Sequence, residues 1–142
     1  MIRNWESRDN EEISLLEKEC FSDAWSYDAI VSTQKMPSFL GLVCEQNGGI
    51  SGYLGVSQFL DEADIMLIAV KTTKRRQGIA KRLLVKMQEI LTEKGVKRIF
   101  LEVRKSNVPA IKCYENFGFS AIFERKRYYA DGEDAIIMEK EI

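Results

Sequence analysis

The chain of 142 residues contains no histidine. That absence removes Ser-His-Asp and Cys-His nucleophilic machinery, together with every histidine-ligated metal site. A general base must then be a carboxylate, a water, a tyrosine or the substrate's own surroundings. Cysteine is scarce: Cys20, Cys44 and Cys113 are odd in number and widely spaced. They suit the reducing cytoplasm and supply neither a disulfide framework nor a zinc site. An excess of one charge is missing too, since 21 Lys and Arg stand against 22 Asp and Glu. The resulting formal charge of −1 gives no support to nucleic-acid binding through a general basic surface. No apolar run is long enough to cross a membrane. The N-terminus carries Glu6, Asp9, Glu11 and Glu12 in place of a signal pattern. Without repeats, low-complexity stretches or a long linker, residues 1–142 read as one domain with room for a core.

What is present concentrates in residues 65–94. Ile65-Met66-Leu67-Ile68-Ala69-Val70 is an unbroken apolar run, predicting a central strand buried on both faces. Lys71-Thr72-Thr73-Lys74-Arg75-Arg76-Gln77 follows with no acid to offset its charge. Gly78 then opens a helix whose apolar positions Ile79, Leu83, Leu84, Met87, Ile90 and Leu91 fall at helical spacing. The carboxyl end of a strand, feeding a helix N-terminus through a basic loop, is a natural seat for phosphate. Free backbone N–H groups and the helix dipole both favour an anion there.

Spacing narrows the ligand. A P-loop needs an earlier glycine and a Lys-Ser/Thr pair after Gly78, and the chain has Ile79, Ala80 and Lys81. A dinucleotide fingerprint needs more than one glycine. What remains is Arg75-Arg76-Gln77-Gly78-Ile79-Ala80, of the form [Q/R]-x-x-G-x-[G/A]. Here Gly78 admits a backbone N–H to an anion and Ala80 leaves room beside it. The alternative is an ordinary helix entry beside a solvated cationic face.

Elsewhere the sequence predicts strands at Met1–Trp5, Phe39–Glu45, Ile50–Leu60, Ala63–Val70, Arg98–Arg104, Ser120–Arg127 and Ala135–Glu141. Helices are predicted at Asp9–Cys20 and Ser26–Thr33, capped by Asp9 and Ser26, and at Gly78–Lys94. A shorter one is predicted between Asn107 and Gly118, with Asn107 as cap and Pro109 in its first turn. Gln46-Asn47-Gly48-Gly49 and Tyr129-Ala130-Asp131-Gly132 are turn signals. The fold class is α/β (α+β): a mixed central sheet of about seven strands with helices on both faces. In the fifth strand Ile99, Leu101 and Val103 alternate with Phe100, Glu102 and Arg104. Glu102 is therefore either a carboxylate at a partly apolar site, suited to proton abstraction, or the ion-pair partner of Arg104 on a wet face.

The Arg75–Ala80 loop resembles the acetyl-CoA pyrophosphate loop of the GNAT superfamily of N-acetyltransferases, and the order of elements from Ile2 to Met138 agrees. Phe21-Ser22-Asp23-Ala24-Trp25-Ser26, Leu101-Glu102-Val103-Arg104, Tyr114-Glu115-Asn116-Phe117-Gly118-Phe119 and Glu133-Asp134-Ala135-Ile136-Ile137-Met138 are similar to the ribosomal-protein-alanine N-acetyltransferase group. That resemblance implies acetyl-CoA as co-substrate and no metal. It implies direct transfer of acetyl to the N-terminal alanine of a small-subunit ribosomal protein, recognised as a peptide end and not through RNA or a membrane. By the same resemblance Glu102 is the base and Tyr114 the proton donor to the leaving thiolate. Ile68, Ala69 and Val70 offer backbone groups to the pantetheine arm, which requires the sheet to splay there. Arg75, Arg76, Gln77, Gly78, Ile79, Ala80 and Lys81 hold phosphate, and Asn107 contacts pantetheine or substrate. Tyr114 as core aromatic and Asn107 as simple cap remain open. So does the choice between a peptide-receiving wall and a solvated hairpin tip for Tyr128, Tyr129, Glu133 and Asp134.

Overall fold

The computed structural model describes all residues, Met1–Ile142. Its strands are β1 (Ile2–Asn4), β2 (Phe39–Gln46), β3 (Gly49–Phe59), β4 (Glu62–Val70), β5 (Arg98–Arg104), β6 (Ser120–Arg125) and β7 (Ala135–Glu141). Its helices are α1 (Asn10–Cys20), α2 (Tyr27–Gln34), α3 (Ile79–Glu93) and α4 (Val108–Phe117), with 3-10 turns at Ser7–Asp9 and Thr72–Lys74. The strands form one sheet in the order β1-β2-β3-β4-β5-β7-β6. Every neighbouring pair is antiparallel except β4 and β5.

Alternation along the strands builds two cores. Leu42, Leu54, Val56, Ile99, Leu101 and Val103 pack with the α3 residues Leu83, Leu84 and Met87, and with Tyr114 of α4. Val43 and Tyr53 point the other way, onto Ile13 and Leu16 of α1 and Ile30 of α2. The helices thus cover both faces, as the pattern predicts. The strand buried most fully on both faces is β3, not β4. Gly52 and Gly55 let it lie in that sandwich: a Cβ on Gly52 would come within 2.8 Å of Ile79, and one on Gly55 within 2.8 Å of Phe39.

Local signals hold with one exception. The Ser26 side chain accepts from Ala29 N at 3.1 Å, and Asn47 and Gly48 both take positive φ (52° and 79°), as a tight β-hairpin requires. Asp9, however, does not cap α1 with its side chain. Its carboxylate turns to the Arg3 guanidinium (2.8 and 2.9 Å) and to Glu6 N (2.8 Å), because the chain makes a 3-10 turn before the helix begins. No helix is long and apolar enough to cross a membrane.

Candidate active site

Met66 decides the shape of the site. Ile65 pairs with Val56 and Leu67 with Gly55, so Met66 is an extra residue in β4, a β-bulge. Ala63 and Ile65 therefore face α3, whereas Leu67 and Ala69 face α1. Met66 itself is 38% exposed, which corrects the expectation of a strand closed on both sides. The bulge bends β4 away from β5. Their parallel ladder runs from Glu62↔Arg98 to Ile65↔Leu101 and stops, although the strands continue to Val70 and Arg104. Ile68, Ala69 and Val70 lie beyond the last rung and have no strand partner on the β5 side, where the Val70 carbonyl accepts from Arg75 Nε instead.

On the α1–α2 side of this parting is a cavity of about 710 Å³, lined among others by Trp25, Asp64, Met66, Glu102, Tyr128 and Tyr129. Glu102 is exposed to it and does not pair with Arg104, whose guanidinium is engaged by Asp23, Asp131 and Glu133. The Glu102 carboxylate, followed by burial, pushes the Tyr128 phenol up; for Tyr129 burial comes first and Glu102 second. Asp64 shares the cavity. Burial raises its carboxyl above the usual range, with the charges of Glu102 and Glu62 adding to the rise. Asp64 was not singled out from sequence. Its signal is an acid inside a strand, immediately before the apolar run Ile65–Val70.

Tyr114 lies on the other face, 9% exposed in the core beneath α3 and edge-on to Phe119 at 6.0 Å. Burial pushes its phenol up. The structure therefore does not place Glu102 and Tyr114 in one cavity. It places them on opposite faces of the sheet. Asn107 caps α4, accepting from Ala110 N at 3.3 Å.

At the carboxyl end of β4 the chain turns sharply. Arg76 and Gly78 take φ of 64° and 75°. The α3 N-terminus has no side-chain cap and no acid in its first turn, so the N–H groups of its first turn (Ile79, Ala80, Lys81) lack helical partners. Arg76, Gln77 and Lys81 are exposed around them, with Ala80 half-buried. Arg75 folds back instead: its Nε donates to the Val70 carbonyl at 3.2 Å and its Nη2 approaches Cys20 Sγ at 3.8 Å. A side chain on Gly78 would meet nothing within 4 Å. The glycine is used for its left-handed backbone, and the space above it is open to a ligand. These donors and this space fit a phosphorylated ligand.

Tyr128 and Tyr129 do line the cavity, but Glu133 and Asp134 do not. Glu133 accepts from Arg104 and Ser106 N, while Asp134 accepts from Arg127 N and Lys126. These acids brace the β6–β7 hairpin.

The family model described as Acetyltransferase (GNAT) family matches residues 2–119. The chain belongs to the GNAT acetyltransferase family. As a GNAT protein it is an acyltransferase, and the relatives it resembles are named as N-acetyltransferases. It is 37% identical over 126 residues to the [ribosomal protein bS18]-alanine N-acetyltransferase of Escherichia coli (strain K12), covering 87% of this chain and 84% of that one. The crystal structure of the ribosomal-protein-S18-alanine N-acetyltransferase from Escherichia coli superposes with a TM-score of 0.93 at 34% identity. That match covers 100% of this chain and 93% of the other. An aminoglycoside 6'-N-acetyltransferase complexed with coenzyme A shares the GNAT fold alone, with a TM-score of 0.86 and 13% identity over 99% of this chain and 96% of that one.

Proposed function

We propose that the protein transfers acetyl from acetyl-CoA to the N-terminal α-amine of a ribosomal protein, alanine in first position, by direct attack within a ternary complex in the cytoplasm. The observation that carries this reading is the ladder ending at Ile65↔Leu101. It leaves a slot with a carboxylate-bearing cavity on one side and an anion-ready helix end at its rim. The names of the bS18-alanine N-acetyltransferase relatives supply the substrate.

Acetyl-CoA, when bound, supplies an activated acetyl thioester. The first-turn N–H groups of α3, with Arg76, Gln77, Gly78 and Lys81, hold its phosphates. The open edge of Ile68–Val70 offers backbone groups to the arm and a donor to the thioester carbonyl. Asn107, at the opening of α4, faces the same arm. Glu102 removes a proton from the incoming amine, directly or through water. An α-amine with a pKa of ~7.7–8.0 asks less of such a base than a lysine at ~10.4. Tyr114, kept neutral by burial, provides a proton to the departing sulfur.

The test is CoA release with purified protein, acetyl-CoA and two lysine-containing peptides starting with alanine, one α-blocked. Turnover of the free peptide alone supports the reading. Equal turnover of both would replace it with lysine chemistry, and tight acetyl-CoA binding without turnover of any amine would replace it with a sensor.

A further inference from the structure

Two segments frame the mouth of the cavity. Residues 21–26 link α1 to α2 and contribute Trp25, while residues 126–134 link β6 to β7 and contribute Tyr128 and Tyr129. They are remote in sequence and meet at one side chain. Arg104 Nη2 donates to Asp23 Oδ2 at 2.7 Å, and Nη1 donates to Asp131 Oδ2 at 2.8 Å and to Glu133 Oε1 at 2.9 Å. The same guanidinium lies over the Tyr129 ring at 4.0 Å. Glu133, first among the acids, and then Asp23 hold Arg104 firmly cationic against the opposing effect of burial.

We propose that Arg104 is a positioning residue for the acyl acceptor: one guanidinium locks the α1–α2 loop to the β6–β7 hairpin and so sets the width of the cavity mouth. A planar fork reaches three carboxylates and a ring face at once. A lysine, with a compact point charge, does not. Without the cation the three acids repel, and the two segments separate. Arg104 and Glu102 lie on the same side of β5, two positions apart. The acids that hold Arg104 therefore also keep it from neutralising Glu102. Glu17 adds a second tie on one side only, accepting from Trp25 N at 3.0 Å.

The kinetic arm of the test rests on the acetyltransferase reading; the structural arm does not. Amide hydrogen exchange is measured on the whole chain for Arg104→Gln, Arg104→Lys and Asp23→Asn, alongside acetyl-CoA affinity and the kinetics of an alanine-terminal peptide. In Arg104→Gln, exchange at 21–26 and 128–134 accelerates by roughly tenfold while the central strands keep their protection. Peptide KM rises by roughly tenfold, kcat falls less, and acetyl-CoA affinity stays within about twofold. Arg104→Lys does not rescue. Asp23→Asn removes a partner that is 49% exposed and accelerates exchange at 21–26 alone, so it gives the test on an intact fold if Arg104→Gln does not fold. Unchanged protection at both segments, or uniform acceleration over the sheet, would overturn the proposal, as would an unchanged peptide KM. A wild-type chain inactive on every alanine-terminal peptide would sink the acyl-acceptor reading, and the exchange result would still decide whether Arg104 is the lock.

Discussion

Asp64 and Glu102 line the same cavity from neighbouring strands, and neither carboxylate is paired with a cation. The charge of Glu102 makes charge on Asp64 less favourable. Because the folded chain raises the Asp64 carboxyl above its ordinary value, this residue favours folding at low pH. That contribution is lost as pH rises from the usual carboxylate range through the raised value. Asp64→Asn is expected to raise Tm at pH 7 by on the order of 1 °C, a small effect because the group is solvent-screened. The gain should vanish at pH 3, as thermal melts across pH will show.

Glu102→Gln is expected to lower kcat by about 10²-fold or more, the scale of lost general-base help. Acetyl-CoA affinity should remain within about twofold, since the side chain lies in the cavity beside Asp64 and Tyr128 and not in the Arg75–Lys81 loop. Steady-state rates with calorimetric cofactor titration test this. Wild-type turnover across pH would remove Glu102 from the chemistry.

Tyr114→Phe separates chemistry from packing. The hydroxyl has no hydrogen-bond partner within the protein, so its removal orphans no buried group and Tm should move by less than about 2 °C. Turnover should fall. Because burial raises this phenol, its neutral form persists beyond the ordinary tyrosine value of ~10. The wild-type rate should therefore show no alkaline loss from Tyr114 below that pH.

Gly78 is held at φ 75° with open space above it. Gly78→Val should cost about 1–2 kcal/mol or more in backbone strain and weaken acetyl-CoA binding by at least tenfold. Gly78→Asn tolerates the same backbone better and should be milder on both counts. Normal cofactor affinity in the valine variant would defeat the phosphate-loop assignment.

The Tyr53 hydroxyl donates to Glu17 Oε1 at 2.7 Å inside the α1-side core. Tyr53→Phe leaves that buried oxygen without its donor, at an expected cost of about 1.5–3 kcal/mol in chemical denaturation. A change below about 0.5 kcal/mol would mean that water replaces the phenol.

Sequence reading succeeds here where periodicity is local. The alternation in β5 set Glu102 apart from Ile99, Leu101 and Val103, and the structure keeps that division. The spacing of Leu83, Leu84, Met87 and Leu91 likewise marked the buried stripe of α3. It fails where one residue is inserted without a polar marker. Nothing in Ile65–Val70 announces that Met66 is surplus, because an unbroken apolar run has no phase to shift. The partners of Arg104 were also invisible. Asp23, Asp131 and Glu133 come from segments that only the folded sheet brings together, so the sequence alone leaves Glu102, the nearest acid, as one of two open readings for the partner of Arg104.

The short parallel ladder has a mechanical consequence. Strands β1–β4 form one leaf and β5–β7 another, and between the leaves the only sheet hydrogen bonds are those from Glu62↔Arg98 to Ile65↔Leu101. The helices beneath form the rest of the spine. A molecule lying in the gap touches both leaves and works as a removable staple. Its free energy of binding adds directly to the cohesion of the book.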